Sequence, residues 1–238
     1  MLHKVRGIVL RTTRYGDTSI VVQVYTDVFG LQGYIVNGVR TVKGKGKASL
    51  YQHGNLLEMV VYHKEQGGLM RVSECAFAHI YEQLPFQVVK GGLLLFYIEI
   101  LNKIIREGEA QPDLFDFVFE SFIDLDQTDK KISAHPIWFL LGMTKYLGAY
   151  PHYSDGCYFD LQDGVFTDHI PPHLLYLDQA QTQSLRYCLE PELRNYDQLN
   201  LTTSNRKKLL HSLISYYKHH VSDFGEIKSL DVLEGLFR

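Results

Sequence analysis

The chain has 238 residues, with 24 Lys and Arg against 27 Asp and Glu, and 45% of it is apolar. That is enough to bury a substantial core, and the composition excludes a low-complexity or disordered protein. The longest apolar run, Gly91 to Ile98, is too short to span a membrane, and three widely spaced cysteines, Cys75, Cys157 and Cys188, exclude a disulfide framework and any C-x-x-C zinc pair.

The opening residues, MLHKVRG, run straight into a strand pattern without an apolar targeting core, so a cytoplasmic location is expected. Near-neutral net charge hides an asymmetry. Residues 1–83 carry ten Lys/Arg against six Asp/Glu, and the remainder fourteen against twenty-one. A polyanion is expected to be drawn to the first part and a basic protein partner to the second.

From Val5 to Ala76 the pattern has period two. VRGIVLRTT, TSIVVQVYT and GLQGYIVNG read as strands, separated by turns at Tyr15-Gly16-Asp17 and Asp27 to Gly30; NLLEMVVYH and LMRVSECAF read as two more. Between the third and fourth lies GVRTVKGKGK, Gly38 to Lys47, in which Arg40, Lys43, Lys45 and Lys47 alternate with glycines. It reads as a flexible cationic finger suited to phosphates, or else as a solvated charged loop. It is not a nucleotide-binding P-loop: five residues separate Gly38 from Gly44-Lys45 where four are required, and Gly46 replaces the metal-binding hydroxyl. Five short strands with an insertion after the third match an oligonucleotide/oligosaccharide-binding (OB) barrel.

After His79 the period changes to helical. Helices are predicted from Val88 to Ile105, Leu114 to Leu125, Pro136 to Leu147, Gln179 to Cys188 and Arg206 to His220, with Asp113, Ser133 and Ser204 as candidate caps and Tyr150-Pro151 ending the third. Cys157 to Thr167 reads as a β-hairpin turning at Asp163-Gly164 and closed by Pro171-Pro172-His173. The predicted fold is therefore α+β: a five-stranded OB barrel over residues 1–80, then a helical domain over 81–238 with a hairpin insertion near 157–167. His152, Cys157, His169 and His173 match no zinc spacing, so no metal is expected. No H-E-x-x-H, G-x-S-x-G or dinucleotide fingerprint occurs; His219-His220 and Asp124/Asp126 read as surface residues, and no catalytic residue or cofactor is expected.

The order of these pieces resembles the bacterial recombination mediator family RecO. The likeness rests on VRGIVLRTTRYGDTSIVVQVYTDVFGLQGYIVNGVR, then NLLEMVVYHKEQGGLMRVSEC, FYIEIL, LFDFVFESFIDLD, FLLGMTKYLGAYPH and the tail IKSLDVL, and covers nearly the whole chain. Many members carry a four-cysteine zinc module after the third helical segment; here only Cys157 remains, so the chain resembles the zinc-less members. The resemblance implies a nucleoid-associated, non-enzymatic protein that binds single- and double-stranded DNA and anneals complementary strands. It also implies that, with RecR, such a protein helps load recombinase onto DNA coated with single-strand-binding protein, whose acidic C-terminal tail meets the helical part.

A barrel that binds single strands needs cations along the backbone and aromatic rings for stacking. The candidates are Lys4, Arg6, Arg11, Arg14, Arg40, Lys43, Lys45 and Lys47, with Tyr15, Phe29 and Tyr34 for the bases; Tyr34 is open between barrel core and surface. Arg206-Lys207-Lys208 reads as the start of a helix, where cations oppose the macrodipole, so contact with DNA or an acidic peptide is weighed against a solvated turn. The alternative is an OB adaptor that mainly binds proteins.

Overall fold

The computed structural model describes residues 1–39, 41, 45–63, 68–108, 110–190 and 196–237, and of residues 45 and 46 the backbone alone. It divides into two compact units, Met1–Gln127 and Thr128–Arg238.

The first unit opens with a closed barrel of β1 (Leu2–Tyr15), β2 (Ser19–Thr26), β3 (Gly30–Val36), β4 (Leu56–Tyr62) and β5 (Met70–Phe77) in the order β1-β2-β3-β5-β4. β3 and β5 pair in parallel, and the other neighbours are antiparallel. This is the predicted OB topology. Val5, Val9, Val22, Val24, Tyr34, Leu57, Met59, Val61 and Met70 share its core. Each large apolar side chain so buried contributes about 1.5–3 kcal/mol, and a one-residue slip of a strand would expose its whole inner row. Gly7 lies on that row because a Cβ there would come 2.5 Å from Val24 Cγ1 and 2.9 Å from Met59 Cε.

The alternation of β1 breaks once. Val9 pairs with Val24 and Arg11 with Gln23, which leaves Leu10 as an extra, bulged residue. Before the bulge the odd-numbered residues face inward; after it they face outward, because Thr12, not Arg11, pairs with the core residue Val22. Beyond β3 the finger ends in a helical turn, α1 (Lys45–Ala48), and a 3-10 turn, Ser49–Tyr51, so the described end of this segment is wound rather than extended.

α2 (Val88–Ile104) and α3 (Pro112–Gln127) complete the unit. α3 starts at Pro112, a residue suited to the first helical position, so Asp113 sits inside the first turn and does not cap it as expected. Phe115 of α3 packs on Tyr25 of β2 at 5.5 Å, and the Tyr25 hydroxyl donates to the Gln111 carbonyl at 3.2 Å. Asp126, read from sequence as solvated, is instead completely buried. Its carboxylate accepts the backbone N–H groups of Glu82, Gln83 and Leu84 at 3.0, 2.9 and 2.8 Å and contacts His79 Nε2 at 3.0 Å. Burial alone would push this carboxyl up, but the hydrogen bonds outweigh it and its pKa is lowered.

The second unit holds α4 (His135–Tyr146), the sheet β6 (Tyr158–Asp160), β7 (Val165–Thr167) and β8 (Tyr176–Leu177), then α5 (Gln179–Leu189), α6 (Thr203–His220) and α7 (Ser229–Leu236). α4 ends earlier than Tyr150-Pro151 requires, because Gly148 takes a left-handed φ of 69° and turns the chain. The predicted hairpin forms, with Phe159 paired to Phe166, but its loop runs from residue 161 to 164 around the Asp160 carboxylate, which accepts the amides of Gln162 and Asp163. β8 adds a third strand against β6, so the Pro171-Pro172-His173 segment leads into the sheet rather than closing it.

Two further helix starts differ from expectation. Ala134, not Ser133, precedes α4 without a side-chain cap, and Thr202, not Ser204, caps α6 by accepting the Asn205 N–H at 3.2 Å. Arg206 therefore closes the first turn of α6 and Lys207-Lys208 lie beyond it, where the dipole cost falls off.

Candidate nucleic-acid interface

The bulge at Leu10 decides which side chains reach the outside of the barrel. Thr13 pairs with Val21, Val21 with Ile35, Ile35 with Arg71 and Arg71 with Tyr62, so one outward row crosses all five strands. Arg11 and Tyr15 stand one alternation to either side of Thr13 on β1 and share its face. With strands about 4.8 Å apart, Arg71 lies roughly 14 Å across the sheet from Thr13. Arg11, Arg14 and Arg71 are exposed, Tyr15 is 52% exposed, and no described residue pairs with any of the three arginines.

The other expected cations divide. Lys4 is exposed and meets Glu58 at 3.4 Å in an open ion pair. Arg6 is committed: it bonds Asp27 at 3.1 Å and Asp116 at 2.7 Å, and its guanidinium lies 5.1 Å from the Phe115 ring and 5.3 Å from that of Phe119. Partial burial opposes its charge, but the two carboxylates outweigh it and the pKa is raised. A phosphate would have to compete with both. Lys47 is exposed; Arg40 and Lys43 lie outside the described residues, as does the side chain of Lys45.

Two aromatic candidates are occupied. Tyr34 is 0% exposed in the barrel core, which resolves the face left open by the alternation. Phe29 stacks on His63 at 3.7 Å and meets His3 edge-on at 5.1 Å, so its ring closes the barrel instead of receiving a base. Tyr15 keeps an open ring. Arg71 and Tyr62 were not singled out from sequence; for Arg71 the signal was present in the alternation of LMRVSECAF, where Met70 faces in and Arg71 faces out, but its place between Ile35 of β3 and Tyr62 of β4 depends on barrel closure.

The second basic cluster borders a pocket of about 110 Å3 lined by Ser133, Pro136, Ile137, Leu210, Leu233 and Phe237, with Thr203, Arg206, Lys207 and Glu234 at its polar edge. An enclosed cavity of ~150 Å3 holds a benzene ring, so this open one suits one apolar or aromatic side chain. Arg206 reaches the Leu201 carbonyl at 3.4 Å and the Thr203 hydroxyl at 3.3 Å, and meets no carboxylate among the described residues. Burial lowers its pKa. Lys207 is paired with Glu234 at 2.6 Å, and Lys208 is exposed.

The metal quartet is not assembled. His173 uses both ring nitrogens, toward Asp160 at 3.1 Å and the Leu175 N–H at 3.2 Å, and the described residues contain no group of three His, Cys, Asp or Glu arranged for a metal. Arg186 instead ties this region together, donating from Nε to the Ser154 carbonyl at 2.9 Å and from Nη2 to that of Gly156. Among the described residues no helix is long and apolar enough to cross a membrane.

The family model described as Recombination protein O N terminal matches residues 1–81, and that described as Recombination protein O C terminal matches residues 87–231. The chain is 31% identical over 243 residues to a protein of Phocaeicola vulgatus and 32% identical over 240 residues to one of Christiangramia forsetii, each alignment covering 100% of both chains. A protein of Flavobacterium psychrophilum is 31% identical over 238 residues, 98% of each chain. All three carry the name DNA repair protein RecO.

Proposed function

The chain belongs to the recombination protein O family of DNA repair, and from that premise we propose that it is a recombination mediator that works by binding rather than by catalysis, without a cofactor. Residues 1–80 bind single- and double-stranded DNA, and residues 81–238 meet protein partners: RecR, and the acidic C-terminal tail of single-strand-binding protein. It anneals complementary strands and, with RecR, helps load recombinase onto coated DNA at the nucleoid in the cytoplasm.

The observation that carries the DNA reading is the pair of exposed cations Arg11 and Arg71 on the face of the open Tyr15 ring, with exposed Arg14 next to it in the chain, none of the three paired with a described residue. Cations track the backbone and a stacked ring tolerates any base, so binding is independent of sequence. Contacts to phosphate leave base edges free, and neutralising two strands removes the repulsion that opposes their pairing. Lys4 and Lys47, together with the finger residues Arg40, Lys43 and Lys45, extend the same basic part. The partner reading rests on the pocket beside Arg206, whose apolar walls, and a guanidinium that meets no carboxylate among the described residues, suit an apolar residue next to a carboxylate.

A gel-shift and annealing assay over a salt series tests the DNA reading. The expected result is tight binding at low salt that falls steeply as salt rises, with mixed-sequence and homopolymer strands bound alike. The adaptor reading draws on exposed Phe86 and Val88 at the start of α2, and it prevails if the protein retains no DNA at physiological salt yet still binds RecR.

A further inference from the structure

The pocket beside Arg206 already has a carboxylate at its lip. Glu234, on α7, accepts from Lys207 Nζ at 2.6 Å through Oε2 and contacts His211 Nε2 through Oε1, and both partners belong to α6. Leu230 and Leu233 are buried and anchor α7, so Glu234 is delivered by a packed helix and not by a loose tail. Its side chain is 17% exposed, whereas those of Lys207 and His211 are 58% and 50% exposed, so the pair lies where an incoming anion can exchange with Glu234. Partial burial works against the charge of Glu234, but Lys207 and His211 outweigh it and lower its pKa, so the carboxylate is ionised at neutral pH.

We propose that Glu234 is a built-in competitor: it holds the lip cation Lys207 that an incoming acidic peptide needs, and the peptide gains that contact only by displacing it. The inference rests on the reading of this pocket as an acidic-tail site. Arg206 is open to the terminal carboxylate of a peptide whose last side chain fills the apolar pocket, whereas an upstream acid must exchange with Glu234 on Lys207. One such exchange replaces an ion pair with an ion pair and yields little. A run of acids also gains the exposed Lys208, so the competitor selects multiply acidic tails over ordinary chain ends.

The test is fluorescence anisotropy with a labelled acidic peptide ending in Phe with a free carboxylate, on the full chain. Glu234→Gln keeps the shape and removes the charge; Glu226→Gln changes net charge equally at an exposed site paired with Lys218. The expected result is binding tightened about three- to tenfold by Glu234→Gln, the fold-change of one or two exposed ion pairs, and less than about twofold by Glu226→Gln. Binding by the wild type that Glu234→Gln leaves equal or weaker overturns the competitor and leaves the pocket reading standing. Equal tightening by both variants assigns the effect to net charge and also overturns it. Absence of peptide binding in the wild type and in Glu234→Gln removes the pocket reading and the competitor with it; binding that appears only in Glu234→Gln supports both.

Discussion

The two halves of β1 each present two basic residues, and they use them in opposite ways. Lys4 and Arg6 precede the bulge and are engaged: Lys4 loosely with Glu58, Arg6 firmly with Asp27, Asp116 and the faces of two phenylalanines. Arg11 and Arg14 follow it, are exposed and meet no partner among the described residues. A count of cations treats the four alike. The bulge keeps Arg11 on the outer face that Lys4 and Arg6 occupy, and the difference teaches that carboxylates and rings far along the chain, not strand phase, separate charges that assemble the unit from charges left for a polyanion.

The engaged class has its extreme at Asp126, and the largest effect is expected there. Asp126→Ala strands three backbone N–H groups and should lower stability by about 3 kcal/mol or more, read as the midpoint of urea unfolding. The pH dependence has a definite sign. A carboxyl whose folded pKa is depressed contributes stability that is complete above its unfolded value of ~3.9 and is lost as pH falls through the lower folded value. Asp126→Asn should therefore flatten the acid limb of a stability-against-pH curve, and an unchanged limb would deny the clasp its role.

Next in size is the joint replacement of Arg11, Arg14 and Arg71 by Ala. Folding stability should move by no more than about 0.5 kcal/mol, while the slope of log affinity for single-stranded DNA against log salt falls by ~2, near 0.7 for each phosphate no longer neutralised. Arg6→Ala should give the reverse pattern: a loss of about 1–2 kcal/mol in stability from its ion pairs and ring contacts, with the salt slope kept. If Arg6→Ala reduces the slope as much as Arg11→Ala does, the division of β1 fails. Lys4→Ala is the smallest case, since an open ion pair contributes about 0–1 kcal/mol and its effect on unfolding should be slight.

Much of this was legible in the chain. Five strands and the main helices follow from their periods, because burial of one face imposes period two on strands and 3.6 on helices. The helix starts were less legible. Thr202, Ser204 and Asp113 are all competent caps by residue type, and the cap is whichever one sits where helical geometry begins, which Pro112 and the packing of Leu209 and Leu210 decide. α7 is short and its role emerges only where Leu233 and Glu234 meet α6.

For the candidate interface, the sequence by itself determined the basic first part, the barrel type and a tyrosine, Tyr15, beside the first turn, since charge, alternation and turn residues are local properties. Tertiary structure alone decided that Tyr34 faces in, that Phe29 is covered by His63, that Arg6 is held by Asp27 and Asp116, and that Arg71 joins the face of Arg11. The physical reason is common to all four. Each depends on a partner far along the chain or on the phase of a strand after a bulge, and an ionic or stacking partner leaves no mark in the spacing of the residue it engages.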